Sequence, residues 1–287
     1  MLEFMAAPFV ASMVLVAILS YLGLHVIARE VIFVDLSLAQ MAALGSVVAL
    51  LYGVTPDSRI AFIFSLAFTC VGAALFALTR THGKGRVPHE AIIGIVYVVA
   101  SAAAILVADR APRGAEAMHD VLEGAIVWIT WPTIALKSAV FAGLGILHFL
   151  LRRRFLTISF KPEDAESFVW RIRVWDFLFY VSFGVAVTLA VPVAGVLLVF
   201  TMLVVPAVVA FLFTRNLRTM MLISWGTGAL ASLLGLYVSY VGNFPTGPLI
   251  VCMYGLVLLA AGGLYKLHSG KVVAADAGST PQPRAHT

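Results

Sequence analysis

The sequence has few charged side chains for its length. Only 11% of its 287 residues are Asp, Glu, Lys or Arg, whereas 62% are hydrophobic and the mean hydropathy is +1.03. A soluble domain has roughly 25% charged residues and less than half apolar residues. The two longest stretches without charge, 177–214 and 219–265, are each long enough for two membrane crossings at roughly 20 residues per crossing. The composition therefore excludes a soluble protein and predicts an integral membrane protein.

Sequence patterns that mark enzymes and nucleotide sites are also missing. There is no Gly-x-x-x-x-Gly-Lys-[Ser/Thr] phosphate loop, no Gly-x-Ser-x-Gly and no His-Glu-x-x-His. Cys70 and Cys252 stand alone in apolar runs, so we expect packing roles for them rather than redox or metal roles. His25 and His148 are likewise expected to be hydrogen-bonded packing residues. The chain is predicted not to be an enzyme and to bind no ATP or other cofactor by itself.

The predicted fold class is an all-α integral membrane protein, because the short alternating segments of a barrel are absent. About nine transmembrane helices are predicted, with eight possible. Fifteen of the 19 Lys and Arg residues fall in segments that are inside if the N-terminus is outside, so the positive-inside rule predicts N-out and C-in. This placement argues against nucleic acid as the reason for the net charge of +5. The predicted spans are 8–27, 36–53, 60–79, 88–108, 132–151, 175–191, 195–213, 219–241 and 246–266.

The predicted membrane domain covers residues 1–268. From Ser269 onward the apolar periodicity is lost, and 269–287 is predicted to be a disordered cytoplasmic tail. An acid-rich segment, 109–132, is predicted outside, and its aromatic end, Trp128–Trp131, is typical of a helix that lies in the membrane interface.

A second polar segment, 152–176, is predicted inside and is the most charged part of the chain. Pro162 followed by acids favours a short helix that begins there. This helix is either a docking element for a soluble partner or a solvated connector. Asp176, at the inner end of the sixth span, is expected to pair with Arg171 or Arg173.

The stretch FVDLSLAQMAALG, residues 33–45, puts an acid and an amide into the second span. Asp35 lies about one turn into the apolar segment, and Gln40, nine residues after Val31, lies roughly 13 Å into it. Such polar groups usually face a bundle interior or a water-filled path, because an ionised Asp at mid-bilayer costs roughly 2.5–3.5 kcal/mol. Ser37 shares a helix face with Gln40 at i,i+3. In the alternative interpretation, Gln40 bonds a neighbouring helix and Asp35 caps the helix start.

Five stretches resemble one transporter family in their sequence and their order. They are REVIFVDLSLAQMAALG, EAIIGIVYVVASAAAILV, TISFKPEDAES, DFLFYVSFGVAVTLAVPVAGVLLVFTMLVVPAVVA and NFPTGPLIV. The VAGVLLVFTMLVVPAVVA block and the PTGP hairpin are the most specific. Together they resemble the zinc/manganese (metal-ion) permease family of ABC importers.

The resemblance implies the membrane-spanning permease subunit of an ATP-driven importer for divalent metal ions, namely zinc, manganese or iron. It implies a homodimer that lines the translocation path in the bacterial plasma (inner) membrane, surrounded by membrane lipid. A separate ABC ATPase would bind ATP, and an extracytoplasmic metal-binding protein would deliver the transported metal.

The sequence departs from this family on the second span. The family usually has an acid and a His at i,i+4 there, a pair on one helix face that could bind a divalent ion. Alignment on Gly45 puts Leu36 and Gln40 at these positions, whereas alignment on Asp35 puts Ala39 at the His. The pair is intact in neither register, and Gln40 offers a neutral oxygen where the family has a basic nitrogen.

The remaining candidates combine resemblance with local pattern. Glu90 matches the family's acid at the start of span four, although it also suits the first turn of any helix. Pro192 and Pro206 free backbone carbonyls for gating, or are lipid-facing kinks. Asn243 precedes FPTGP where the family often has Asp. The candidates are Asp35, Gln40, Glu90 and Ser37 for the metal or path, Lys161, Pro162, Glu163, Asp164 and Glu166 for ATPase docking, and Pro192, Pro206 and Asn243 for gating.

An ion-gradient-driven secondary transporter or channel is the alternative function. Such proteins tend to carry internal repeats and buried acids that exchange protons. No convincing repeat is found in this sequence, and acids in the middle of its predicted spans are few.

Overall fold

The computed structural model describes residues 2–55, 58–80, 87–111, 114–164 and 172–277. All regular elements in these ranges are helical, which confirms the predicted all-α membrane protein. A 3₁₀ turn, Ile126–Trp128, lies between α5 and α6. The helices are α1 (Leu2–Ala28), α2 (Val34–Leu51), α3 (Arg59–Thr79), α4 (His89–Ala108), α5 (Gly114–Glu123), α6 (Trp131–Leu150), α7 (Arg152–Phe160), α8 (Ile172–Phe213), α9 (Leu217–Gly242) and α10 (Thr246–Ala277).

Eight helices in the described ranges are long and apolar enough to cross a membrane, namely α1–α4, α6 and α8–α10. The longest is α8, with 42 residues. A straight helix of that length would measure about 63 Å, roughly twice the 30 Å hydrocarbon core of a bilayer. Gly195 interrupts it with φ 75° and ψ 159°, so α8 consists of a first arm, 172–194, and a second arm, 196–213.

The two arms of α8 run in opposite directions along α1. In the first arm, Asp176 pairs with Arg29 at the C-terminal end of α1, whereas Val193 lies beside Leu15 in the middle of α1. In the second arm, the Met202 carbonyl is 3.4 Å from the Ser20 hydroxyl. Further along, Ala207 and Ala210 pack in one apolar cluster with Leu24. The arms coincide with predicted spans six and seven, while the total of about nine crossings and the N-out/C-in orientation stay predictions.

The helices divide into central and peripheral ones. The membrane windows of α1, α2 and α8 are 67%, 72% and 56% buried, whereas those of α6 and α10 are 17% buried. The exposed apolar surface of a peripheral helix is stable in lipid, because contact of that surface with water would be unfavourable. The inside of the bundle is therefore built from α1, α2 and α8.

The connecting segments agree in part with the predictions. The 109–132 segment contains α5 and the 3₁₀ turn, and Trp128 at its end is 78% exposed. Residues 162–164 are helical, as expected from Pro162, but 165–171 lie outside the described residues. α10 continues to Ala277 and 278–287 are not described, so the disordered tail from Ser269 stays a prediction.

Candidate functional site

One face of α2 borders a cleft of about 230 Å³ between α2, α3 and the first arm of α8. The face consists of small residues, Ala39, Ala42, Ala43 and Ser46. Because an α-helix turns about 100° per residue, Asp35 lies on this same face, one turn before Ala39. The face of α2 that borders the cleft therefore continues, one helical turn further, to an acid.

Asp35 and Glu90 lie in the first turns of α2 and α4. Asp35 is 1% exposed, and its Oδ1 atom has no hydrogen-bond partner. Glu90 Oε1 accepts a hydrogen bond from the Phe33 backbone N–H at 3.0 Å, while its Oε2 atom is buried without a partner. The structure therefore leaves one buried, unpaired oxygen on each of these two predicted path residues.

Gln40 and Ser37 lie on a different face of α2 from Asp35. Gln40 is five positions after Asp35, which rotates it by about 140° around the helix axis. Ser37 donates a hydrogen bond to the Ile93 carbonyl of α4 at 2.7 Å. Gln40 is 4% exposed, and its Oε1 atom is buried without a partner. Of the predicted α2 residues, Asp35 alone lies on the same helix face as the small residues that line the cleft. The sequence already contained this information, because the face of each residue follows from a rotation of about 100° per residue.

The cleft also has hydroxyl groups that no motif in the sequence marks. Ser58, which caps the start of α3, Ser65 of α3 and Thr188 of α8 line it. At its inner limit the Thr188 and Thr69 hydroxyls are 3.3 Å apart. A Cβ on Gly184 would lie 2.3 Å from the Thr69 side chain, so this glycine allows α3 and α8 to approach closely. The sequence indicated these hydroxyls only through the spacing of Ser65 and Thr69, which are four positions apart and so lie on one face of α3.

The carbonyls near the predicted gating prolines have partners. Pro206 cannot donate to the Met202 carbonyl, and the Ser20 hydroxyl supplies a hydrogen bond there instead. Pro192 lies on the cleft wall, close to the Leu189 carbonyl, which accepts a hydrogen bond from Lys137 Nζ at 2.6 Å. Lys137 of α6 thus holds the first arm of α8 just before its break.

Two glycines with positive φ, Gly124 and Gly195, are in close backbone contact where the two arms of α8 meet. A Cβ on Gly124, which has φ 68°, would lie 2.2 Å from the Gly195 backbone N. A Cβ on Gly195 would lie 2.4 Å from the Leu122 carbonyl oxygen. The Ala125 N–H donates a hydrogen bond to the Val193 carbonyl at 2.9 Å. We call this part of the bundle the glycine end.

Asn243, the third gating candidate, ends α9 in the left-handed conformation with φ 52°. Its backbone N–H donates to the Ser239 carbonyl. The Ser239 hydroxyl in turn donates to the Phe244 carbonyl at 2.8 Å and lies 2.7 Å from the Thr246 hydroxyl. Asn243 therefore shapes the turn between α9 and α10, and its gating role stays a prediction.

At the opposite end of the bundle, Asp176 is fully buried and pairs with two arginines. Its carboxylate accepts a hydrogen bond from Arg29 Nη1 at 2.9 Å and another from Arg80 at the end of α3. The expected pairing with Arg173 is wrong, because that side chain is exposed, while Arg171 lies outside the described residues. Burial lowers the pKa of Arg29 below its ordinary value, and the Asp176 carboxylate opposes this shift. We call this part of the bundle the ion-pair end.

Buried histidines extend the polar contacts of the ion-pair end into the bundle. Arg29 Nε donates to the Ser159 hydroxyl at 2.8 Å, and His25 Nδ1 is 2.7 Å from the same hydroxyl. His148 Nε2 is 2.8 Å from the Ser182 hydroxyl. Both histidines are therefore hydrogen-bonded inside the helix bundle, as expected of packing residues.

The predicted docking residues lie on the surface beside the ion-pair end. Lys161, Pro162, Glu163 and Asp164 are exposed, and Lys161 Nζ is 4.0 Å from Asp164. Glu166 lies outside the described residues. An exposed segment is accessible to another protein, and the docking role itself stays a prediction.

The described residues contain no cluster of three or more His, Cys, Asp or Glu side chains with metal-binding geometry. The two carboxyls of Asp35 and Glu90 can still contribute oxygen ligands, which divalent cations such as manganese accept.

Comparisons with known proteins agree with this architecture. The sequence model of the ABC 3 transport family matches residues 1–263. The manganese import system permease protein ScaB of Streptococcus parasanguinis is 30% identical over 213 residues, covering 71% of this chain and 74% of ScaB. The manganese transport system membrane protein MntC of Listeria innocua is 26% identical over 223 residues, covering 74% of this chain and 78% of MntC. A solved structure, PsaBC from Streptococcus pneumoniae in complex with Fab, has a similar fold, with a TM-score of 0.74, 22% identity and coverage of 90% of this chain and 91% of that one.

Proposed function

This chain belongs to the ABC 3 transport family, and we propose that it is the permease subunit of an ATP-driven importer for a divalent metal ion. Family membership confirms three predictions: an ABC transporter membrane subunit, a protein that is not itself an enzyme, and a multi-pass location in the bacterial plasma membrane. The metal, the path and the partners belong to our proposal.

The observation that carries the proposal is a set of buried, unpaired oxygens on α2 and α4. Asp35 Oδ1 and Glu90 Oε2 lack hydrogen-bond partners, as does Gln40 Oε1 on another face of α2. An unpaired buried polar group costs about 1–3 kcal/mol, so a protein keeps one mainly where function requires it. Acceptor atoms without donors suit a cation, because a metal ion supplies the missing positive charge.

The cleft and Asp35 suggest the route of the ion. A hydrated ion would enter the cleft between α2, α3 and α8, where the Ser65 and Thr188 hydroxyls replace part of its water. It would then follow the small-residue face of α2 to Asp35 and Glu90. Lys137 stands at the cleft wall with its charge directed to the Leu189 carbonyl, which reduces its repulsion of a cation.

The partners follow from the family and from the exposed surface. We propose a homodimer, a separate ATPase that contacts residues 160–170, and an extracytoplasmic metal-binding protein at the glycine end. Manganese is our first choice of cargo because ScaB and MntC are named for it. Zinc and iron remain candidates, since all three accept oxygen and nitrogen ligands. Movement of the ATPase would displace the ends of the α8 arms at the ion-pair end, away from Gly195.

ATP-dependent uptake of manganese, zinc and iron into vesicles tests the proposal. The vesicles contain the full chain with its cognate ATPase and binding protein. We expect uptake of one metal that requires ATP. Asp35→Asn should lower uptake about tenfold or more, because it removes the acid at the end of the cleft face, and Gln40→Ala should lower it less.

Asp109→Asn is the matched control, because Asp109 is 78% exposed and is not among the residues that line the cleft. It should leave uptake unchanged. Uptake that survives both Asp35→Asn and Gln40→Ala would contradict the route along α2. Metal uptake without the ATPase would contradict the importer and support the gradient-driven alternative.

A further inference from the structure

A second cleft, of about 290 Å³, opens at the ion-pair end and has no part in the route proposed above. Its lining includes Arg29, Arg80, His89, Ser159 and Tyr180. These residues come from α1, α3, α4, α7 and α8, so the cleft is where five elements meet. Most of its polar groups are hydrogen-bond donors or can act as donors.

The buried charges beside this cleft are not balanced. Among the residues that the structure describes, Arg29 and Arg80 share the carboxylate of Asp176, which leaves one positive charge in excess. Glu30 also borders the cleft, but it is exposed at the rim, where water and salt weaken its effect. One bound anion with a single negative charge would complete the balance.

Unused donors point to the same ligand. Arg29 is 5% exposed, and its Nη2 atom is buried without a hydrogen-bond partner. Both ring nitrogens of His89 are also buried without partners. A guanidinium and an imidazole N–H can together bind two oxygens of one phosphate group. Arg80 is 22% exposed, so the cleft is open to a ligand from outside the bundle.

We propose that this cleft binds a phosphate group with one negative charge, as carried by the phosphodiester of an anionic phospholipid. Basic clefts between transmembrane helices recognise lipid headgroups in this way, because the headgroup charge lies at the depth of the helix ends. Arg29 and Arg80 supply the charge, and His89 supplies a hydrogen bond from its ring N–H. Inorganic phosphate offers the same chemistry and is the other possible source.

Native mass spectrometry of the full chain tests the proposal. The protein is equilibrated with equal amounts of phosphatidylglycerol and phosphatidylcholine, and the retained lipid is counted. We expect wild type to retain phosphatidylglycerol about five- to tenfold over phosphatidylcholine, and Arg80→Gln to remove most of that preference. Arg80→Gln leaves the Arg29–Asp176 pair in place, so the protein should still fold. His89→Ala is the second variant, and it should lower the preference about two- to threefold.

Arg218→Gln is the matched control, because it removes the same charge from an exposed side chain outside the cleft. It should keep the wild-type preference. A second arm measures thermal stabilisation of lipid-free protein by inorganic phosphate, with chloride as the reference anion. Stabilisation of wild type but not of Arg80→Gln, without lipid preference, would support the phosphate site and identify free phosphate as its ligand. Equal behaviour of wild type and Arg80→Gln in both arms, or an equal loss in Arg218→Gln, would overturn the proposal. None of these outcomes depends on metal uptake.

Discussion

The two ends of the helix bundle are held together by different chemistry. At the ion-pair end, Asp176 joins α1, α3 and α8 through the charged side chains of Arg29 and Arg80. At the glycine end, Gly124 and Gly195 bring two backbones into direct contact, and the Ala125 N–H closes the joint. Charged side chains can exchange partners when helices move. A backbone contact that leaves no space for a Cβ holds its two segments in one relative position. We therefore expect rearrangement to concentrate at the ion-pair end.

The largest expected effect comes from removing the charge of Asp176. Asp176→Asn leaves two arginines near each other without a counter-charge, and breaking a buried pair in this way costs about 3–5 kcal/mol. Thermal unfolding of the purified chain in detergent measures the loss. Asp109→Asn, at an exposed acid, is the control and should unfold like wild type. Equal midpoints for the two variants would mean that the charge network does not hold this end.

A somewhat smaller loss is expected from Gly195→Ala. The conformation of Gly195 is nearly exclusive to glycine, and its added Cβ would meet the Leu122 carbonyl, so we expect a loss of about 2–4 kcal/mol. The same unfolding assay applies. Gly226→Ala is the matched control, because Gly226 lies within α9 and a Cβ at this position would have no atom within 4 Å. If both glycine variants unfold at the same temperature, the interlocked joint contributes nothing.

Double variants compare the two ends, because a second substitution should restore stability at the ion-pair end but not at the glycine end. Adding Arg80→Gln to Asp176→Asn removes one of two repelling charges and should recover about 1–2 kcal/mol. Adding Gly124→Ala to Gly195→Ala should recover nothing, because each Cβ meets backbone atoms. The contrast between the two ends would be contradicted if the glycine double variant regained stability, or if the charged double variant did not. Unfolding midpoints of all four variants decide it.

The smallest effect is expected from Ser159→Ala. This change removes the hydroxyl that Arg29 and His25 share, at a cost of about 1–2 kcal/mol. Ser101→Ala is the control, since the Ser101 hydroxyl bonds within its own helix to the Tyr97 carbonyl. A loss no larger than that of the control would show that Arg29 needs only Asp176 to stay in place.

The sequence predicted what depends on local pattern. Apolar runs located the helices, and the pause between spans six and seven lay within a few residues of Gly195. The partners of Asp176 were missed because Arg29 is 147 residues away along the chain and Arg80 is 96 away. Only packing brings such groups together, and nothing in the spacing of 171–176 indicated it.

The candidate site was predicted in part for a related reason. Asp35 and Glu90 could be named from polarity and from resemblance, but the hydrogen bond from the Phe33 N–H to Glu90, which joins the starts of α2 and α4, results from packing. The separation of Asp35 from Gln40 around α2 followed from helix geometry alone. The cleft lining from α3 and α8 required the structure, because Ser65 and Thr188 are common helix residues until they face the same space.

The reversal of α8 at Gly195 has a consequence for biogenesis. The two arms are joined by one glycine in place of a hydrophilic loop, so no polar segment has to be translocated between them. Each arm alone would leave its broken end, with unpaired carbonyls, in or near the hydrocarbon. The 42-residue segment should therefore leave the ribosome and enter the bilayer as a single helical hairpin, inserted in one step rather than as two successive spans.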